Sequence, residues 1–145
     1  MKSRRFFFAP ILAALVLAAC TDVDETQRAV DQALTEVGFH YLVIQRSATL
    51  VDARHELDRH ADAIDSGLLR IRSRLDDPNE SCEHDRTAAR KALLELEARV
   101  HVYLTEATQM PDVVTWRRLS LTYFADMDGL FAILRGDVDD LRCDR

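Results

Sequence analysis

Residues 87–116, TAARKALLELEARVHVYLTEATQMPDVVTW, carry the pattern that decides the fold. Within it Ala89, Leu93, Leu96, Val100, Tyr103, Ala107 and Met110 recur at alternating steps of four and three. That spacing keeps one face of a helix apolar. Pro111-Asp112 then closes this run and opens another, because proline cannot continue a helix and aspartate is a preferred N-cap. Beyond it Val113, Trp116, Ser120, Tyr123, Met127, Leu130 and Leu134 keep the same spacing, and Leu121, Phe124 and Phe131 add a second apolar edge. A stripe that wide wants two helical neighbours. Helices over 83–110 and 112–141 would be roughly 42 and 45 Å long at 1.5 Å per residue. A tight turn at Met110-Pro111 makes them an antiparallel hairpin.

Upstream, Asp22 to Leu75 contains no proline and only two glycines, Gly38 and Gly67. Val23, Val30, Val37, Ile44 and Val51 recur every seven residues, with Leu34, Tyr41 and Ala48 at the half-steps. Leu57, Ala61, Ile64, Leu68, Ile71 and Leu75 form a second seam, one residue out of phase with the first, so the shift falls between Val51 and Leu57. Thr21-x-x-Asp24 resembles a loose capping box and predicts a helix start there. Asp76 to Ser81 is the clearest break, with Asp77 before Pro78 as a helix start and Ser81 as a competing cap. The expectation is an all-α, antiparallel up-down bundle. It has four helices if the chain folds near 46–53, or three with a very long first helix. Phe39, Tyr41, Leu42, Val43 and Ile44 are apolar on more than one face, which favours four.

The first residues carry a different signal. Lys2, Arg4 and Arg5 precede an apolar run from Phe6 to Ala19, the layout of a secretory signal peptide. The run is short of the ~20 residues that a membrane-crossing helix needs. It ends in Leu17-Ala18-Ala19-Cys20, which resembles the lipobox of bacterial lipoproteins. The resemblance implies cleavage before Cys20, diacylglycerol on its thiol and usually acylation of the new amino terminus. Residues 1–19 are then a signal peptide, and 20–145 a single α-helical envelope domain facing the periplasm. Two or more acyl chains hold a protein stably at a bilayer, at about 0.8 kcal/mol per buried methylene. Thr21, in place of an aspartate, favours the outer membrane over the inner.

Without residues 1–19 the chain keeps 16 of its 19 cations and all 25 acids, a net charge of −9. Such a surface argues against nucleic acid as a partner. Cys82 and Cys143 lie just inside the first turn after Pro78 and just past the last helix, points that meet at one end of an antiparallel hairpin. In an oxidising periplasm a disulfide between them is expected.

No motif points to catalysis or a cofactor. His55-Glu56-Leu57-Asp58-Arg59-His60 resembles a zinc-protease helix, but its histidines are five apart rather than four, which splays them by about 140°. A solvated charged face is the better reading. His40 and His101, beside aromatic residues, fit partly buried, hydrogen-bonded histidines. No CxxCH accompanies Met110, Met127 and His101 for heme, and the acidic runs near 126–129 and 137–140 lack the order of a calcium loop. Trp116 fits the core stripe. The function that follows is a lipid-anchored structural or protein-interaction module with an envelope partner. A periplasmic small-molecule or metal-binding bundle using His40, His55, His60 and His101 is the alternative.

Overall fold

The chain reverses direction at Ser47-Ala48-Thr49 with neither glycine nor proline. In the computed structural model, which describes the backbone of residues 9–77 and 86–141 and the side chains of 23–77 and 86–141, α1 (Ala9–Arg46) ends here. The Ser47 amide and hydroxyl both donate to the Val43 carbonyl, each at 2.9 Å. Thr49 then caps α2 (Leu50–Leu75). Its hydroxyl accepts from the Asp52 amide at 3.1 Å, while the Asp52 carboxylate accepts from the Thr49 amide at 3.1 Å. This reciprocal box satisfies two amides that a helix start leaves orphaned. Arg117 ties the corner down by donating to the Ser47 carbonyl. Among the described residues four helices therefore form, not three. The phase shift belongs to this turn, so Val51, fifth in the expected series, is 75% exposed.

Two further helices follow, α3 (Thr87–Ala107) and α4 (Val113–Asp139). Asp112 opens α4 as expected, its carboxylate accepting from the Thr115 amide at 2.8 Å and hydroxyl at 2.7 Å. Thr21 and Asp22 do not start a helix, because α1 already runs through them. Pro10 sits in the first turn of α1, where it is tolerated, and nothing between it and Arg46 breaks the helix. The proposed start at Asp77-Pro78 falls beside residues 78–85, which lie outside the described residues. On the far side of them Arg86 is buried, and its guanidinium donates to the Leu75 and Asp77 carbonyls at 3.1 Å. Arg90 adds a bond to the Leu75 carbonyl at 2.8 Å. Two cations thus satisfy the negative end of α2.

The helices close into a ring in which α1 packs on α2 and α4, and α3 on α4 and, least extensively, α2. Each neighbouring pair is antiparallel. Glu25 meets Arg74 near one end of α1/α2, and Phe39 meets His60 further along. Gln27 reaches the Arg135 carbonyl, whereas Gln45 reaches that of Arg117. Asp76 pairs with Arg90, and Arg54 reaches the Met110 carbonyl. On α3/α4, Arg99 meets Asp126 and Tyr103 meets Trp116. The turns 47–49 and 108–112 share one end of the bundle, while the last turns of α2 and α4 and the first turn of α3 share the other.

Val30, Val37 and Ile44, then Leu57, Ile64 and Ile71, and Leu96, Val100, Trp116, Phe131 and Leu134 fill the core. Each such side chain contributes about 1.5–3 kcal/mol by leaving water. At the half-steps of α1 the buried residues are Ala33, His40 and Ser47 rather than Leu34, Tyr41 and Ala48, which lie at the rim or outside. In α2 His60 takes the buried place expected of Ala61, and in α4 Leu121 faces out. Among the described residues no helix is long and apolar enough to cross a membrane.

Candidate functional site

Each of the four helices sends one ring into a single buried polar layer: His40 from α1, His60 from α2, Tyr103 from α3 and Trp116 from α4. The helical seams place them there, because each occupies a regular inward step of its own helix. His40 and Tyr103 are only 2% and 3% exposed, and Trp116 is fully enclosed.

The phenol of Tyr103 is the hub. Its oxygen lies 2.9 Å from His40 Nε2 and accepts from Trp116 Nε1 at 3.2 Å. With the indole donating in, the phenol proton is free to go to His40 Nε2. That arrangement puts the imidazole proton on Nδ1. Among the described residues Nδ1 finds no partner. The His60 ring stands 5.9 Å from that of His40, centre to centre, and meets Phe39 edge-on at 5.1 Å. His60 Nε2 is also unpartnered; Glu56 Oε2 comes within 3.4 Å but out of alignment for a hydrogen bond.

Burial sets the electrostatics. Desolvation, and then the nearby His60, push the His40 pKa down to about 4, so the ring is neutral near pH 7. Desolvation raises the Tyr103 phenol to about 12, against a smaller opposite effect of the Trp116 bond. His40 and Tyr103 are therefore both uncharged at neutral pH, and the His40 ring is a proton acceptor sealed inside the layer.

The other residues of interest are dispersed. His55 and His101 are exposed, so His101 is not the partly buried histidine its neighbours suggested. His60 is not part of a solvated face. Its inward place was legible in the 4-3 run Ala53, Leu57, His60, Ile64, once α2 is started at Leu50 rather than read through from α1. Trp116 is core, and so is Met127. Cys82 and Cys143 lie outside the described residues, as does the side chain of Cys20. Among the described residues no three His, Cys, Asp or Glu side chains converge as a metal site would require.

Two surface features remain. A polar groove of about 470 Å³ opens between α1 and α4, lined by Gln27, Asp31, Arg135, Gly136 and Asp139. Further along the same pair of helices, Tyr41 stacks on Phe124 with ring centres 4.5 Å apart. Leu42, next to Tyr41, and Leu121, one turn before Phe124, leave about half of their surfaces in solvent. The α1/α4 face thus carries an apolar strip beside a closed core. Comparison with protein-family models, curated proteins and solved structures finds no match for this chain.

Proposed function

We propose that this chain is a lipid-anchored cell-envelope protein whose four-helix body serves as a structural or protein-interaction module. The observation that carries the reading is Leu17-Ala18-Ala19-Cys20 behind a basic and then apolar leader. Helix lengths support it. Of the 38 residues of α1, the 11 from Ala9 to Ala19 belong to the leader, and Cys20–Arg46 leaves 27. The other full-length helices of the ring, α2 and α4, have 26 and 27. Cleavage before Cys20 would trim α1 to the length of its neighbours and put the acylated residue at the end of the bundle opposite the two tight turns. A body with net charge −9 and, among the described residues, no helix apolar enough to span would then stand beside the bilayer, in the outer membrane by the Thr21 reading.

Mass spectrometry of the amino-terminal peptide tests the anchor. Diacylglycerol on Cys20 and membrane fractionation that is lost in Cys20→Ser are expected; an unmodified, freely diffusing product overturns it. The partner side of the reading rests on the Leu42/Leu121 strip. Crosslinks formed there to an envelope protein should disappear in Leu42→Glu and Leu121→Glu while the anchor is retained. The free nitrogens of His40 and His60 favour the rival reading, a metal- or small-molecule-binding bundle. Metal analysis of protein purified without a histidine tag decides it, a stoichiometric ion being the supporting result.

A further inference from the structure

The buried histidines have no use in an anchor or a docking strip, and a less demanding core would fill their places with leucine. We propose that His40 and His60 form an acid-responsive latch, in which proton uptake inside the sealed layer loosens the bundle around Trp116. This does not depend on the lipid.

The geometry is unfavourable to charge on every side. A charge on His40 would lie in a layer that is nearly free of water, where burying an unpaired ion is costly. From α2 it faces His60, 5.9 Å away between ring centres, so a proton on both would set two like charges together. Glu56 is near His60 and is shared with exposed His55 at 3.9 Å and Arg59 at 3.5 Å. It can temper a charge on His60 but does not act on His40, whose proton affinity burial and His60 alone depress. From α3 comes Tyr103, neutral across the acid range, with Tyr123 of α4 behind it at 5.6 Å. From α4 comes Trp116, which carries no charge. A proton on His40 Nε2 would also face the proton that Tyr103 presents, so the phenol O–H would have to turn away and lose its buried acceptor.

The sign is fixed by these contacts. Closed, His40 binds a proton only near pH 4; opened to water, it binds one at its ordinary value of 6.5. The open form therefore holds more protons between those limits, and acid favours it, with the effect complete below about pH 4. At pH 5 the opening equilibrium should exceed its value at pH 8 by about 30-fold from His40 alone. The α2/α3 seam, the least extensive of the four, is where the ring would part.

Trp116 is the only tryptophan in the chain, so its fluorescence reports on this layer directly. Full-length protein in neutral detergent should show acrylamide quenching that rises as pH falls from 6.5 to 4 and reverses on return to 7.5. The rise should vanish in His40→Gln and persist in His55→Gln, whose ring is exposed. Equal quenching at pH 7.5 and 4.5, or an undiminished rise in His40→Gln, overturns the proposal. If His40→Gln does not fold, NMR titration of the five histidine rings of the unaltered protein decides. One ring protonating only near pH 4, together with the Trp116 response, supports the latch; five rings near 6.5 end it.

Discussion

Gly67 on α2 and Ala33 on α1 approach so closely that a Cβ on the glycine would lie 3.2 Å from that of Ala33. Ala33 has no rotamer with which to yield, so the helices themselves would have to separate. Gly67→Ala gains about 1 kcal/mol of helix propensity and loses a comparable amount to overpacking, giving a change near zero. Gly67→Leu cannot be absorbed and should destabilise by about 3 kcal/mol or more, as an overpacked core does. Gly129 is the control. Nothing lies within 4 Å of its added Cβ, and Gly129→Ala should stabilise by about 1 kcal/mol. Urea midpoints of the three variants check the order.

Tyr103→Phe keeps the ring and removes the oxygen that His40 and Trp116 share. Both partners are then left buried without a bond, at about 1–3 kcal/mol for the layer. His40→Leu in the same background should cost less than in the unaltered protein, because the bond it removes is already gone. A double-mutant cycle should show coupling of at least about 0.5 kcal/mol. Additive losses would mean that the 2.9 Å contact contributes nothing.

The two N-caps call for different readouts. Thr49→Ala breaks the box at the α1/α2 corner and should cost about 1 kcal/mol, read from its urea midpoint. Asp112 is held below the usual carboxylate range, first by the Thr115 amide and then by its hydroxyl. A depressed folded pKa contributes stability above the ordinary range, and that stability is lost as pH falls through the folded value. Asp112→Asn, which caps without a charge, should lose this acid-side dependence. Melting temperatures of the pair between pH 2 and 5 should therefore converge as pH falls.

The seams of α3 and α4 were legible because alternation of four and three leaves little choice of face, and all-α antiparallel packing followed from the tight turn at Pro111. The corner at 47–49 was harder to place. A search for glycine or proline passes over it, yet Thr49-Leu50-Val51-Asp52 is itself a capping box, the local signal that fixes the number of helices. Reading α1 as a strict heptad put Leu34, Tyr41 and Ala48 inside. The buried residues keep that seven-residue repeat, but Ala33, His40 and Ser47 stand three residues after Val30, Val37 and Ile44 rather than four, and His40 and Ser47 carry no apolar signal. The polar layer lay beyond sequence reasoning for a related reason. Nothing local tells a histidine that it will face a tyrosine 63 residues away.

The last prediction concerns the end of the bundle away from the two tight turns. Antiparallel pairing of α3 and α4 brings Arg86, the cap of α3, and Leu141, just past α4, to that end. Cys82 stands four residues before the one, and Cys143 two residues after the other. A disulfide between them would close about 62 residues and stabilise the bundle by about 4 kcal/mol in the chain-entropy model. It would also tie the chain just past α4 to the segment that joins α2 and α3. Protein from an oxidising compartment should yield a linked Cys82–Cys143 peptide on digestion without reductant. Dithiothreitol should lower its melting temperature by several degrees and leave Cys82→Ser unaffected. Two free thiols in the unreduced protein would show that Arg86, Arg90 and the helix packing hold this end alone.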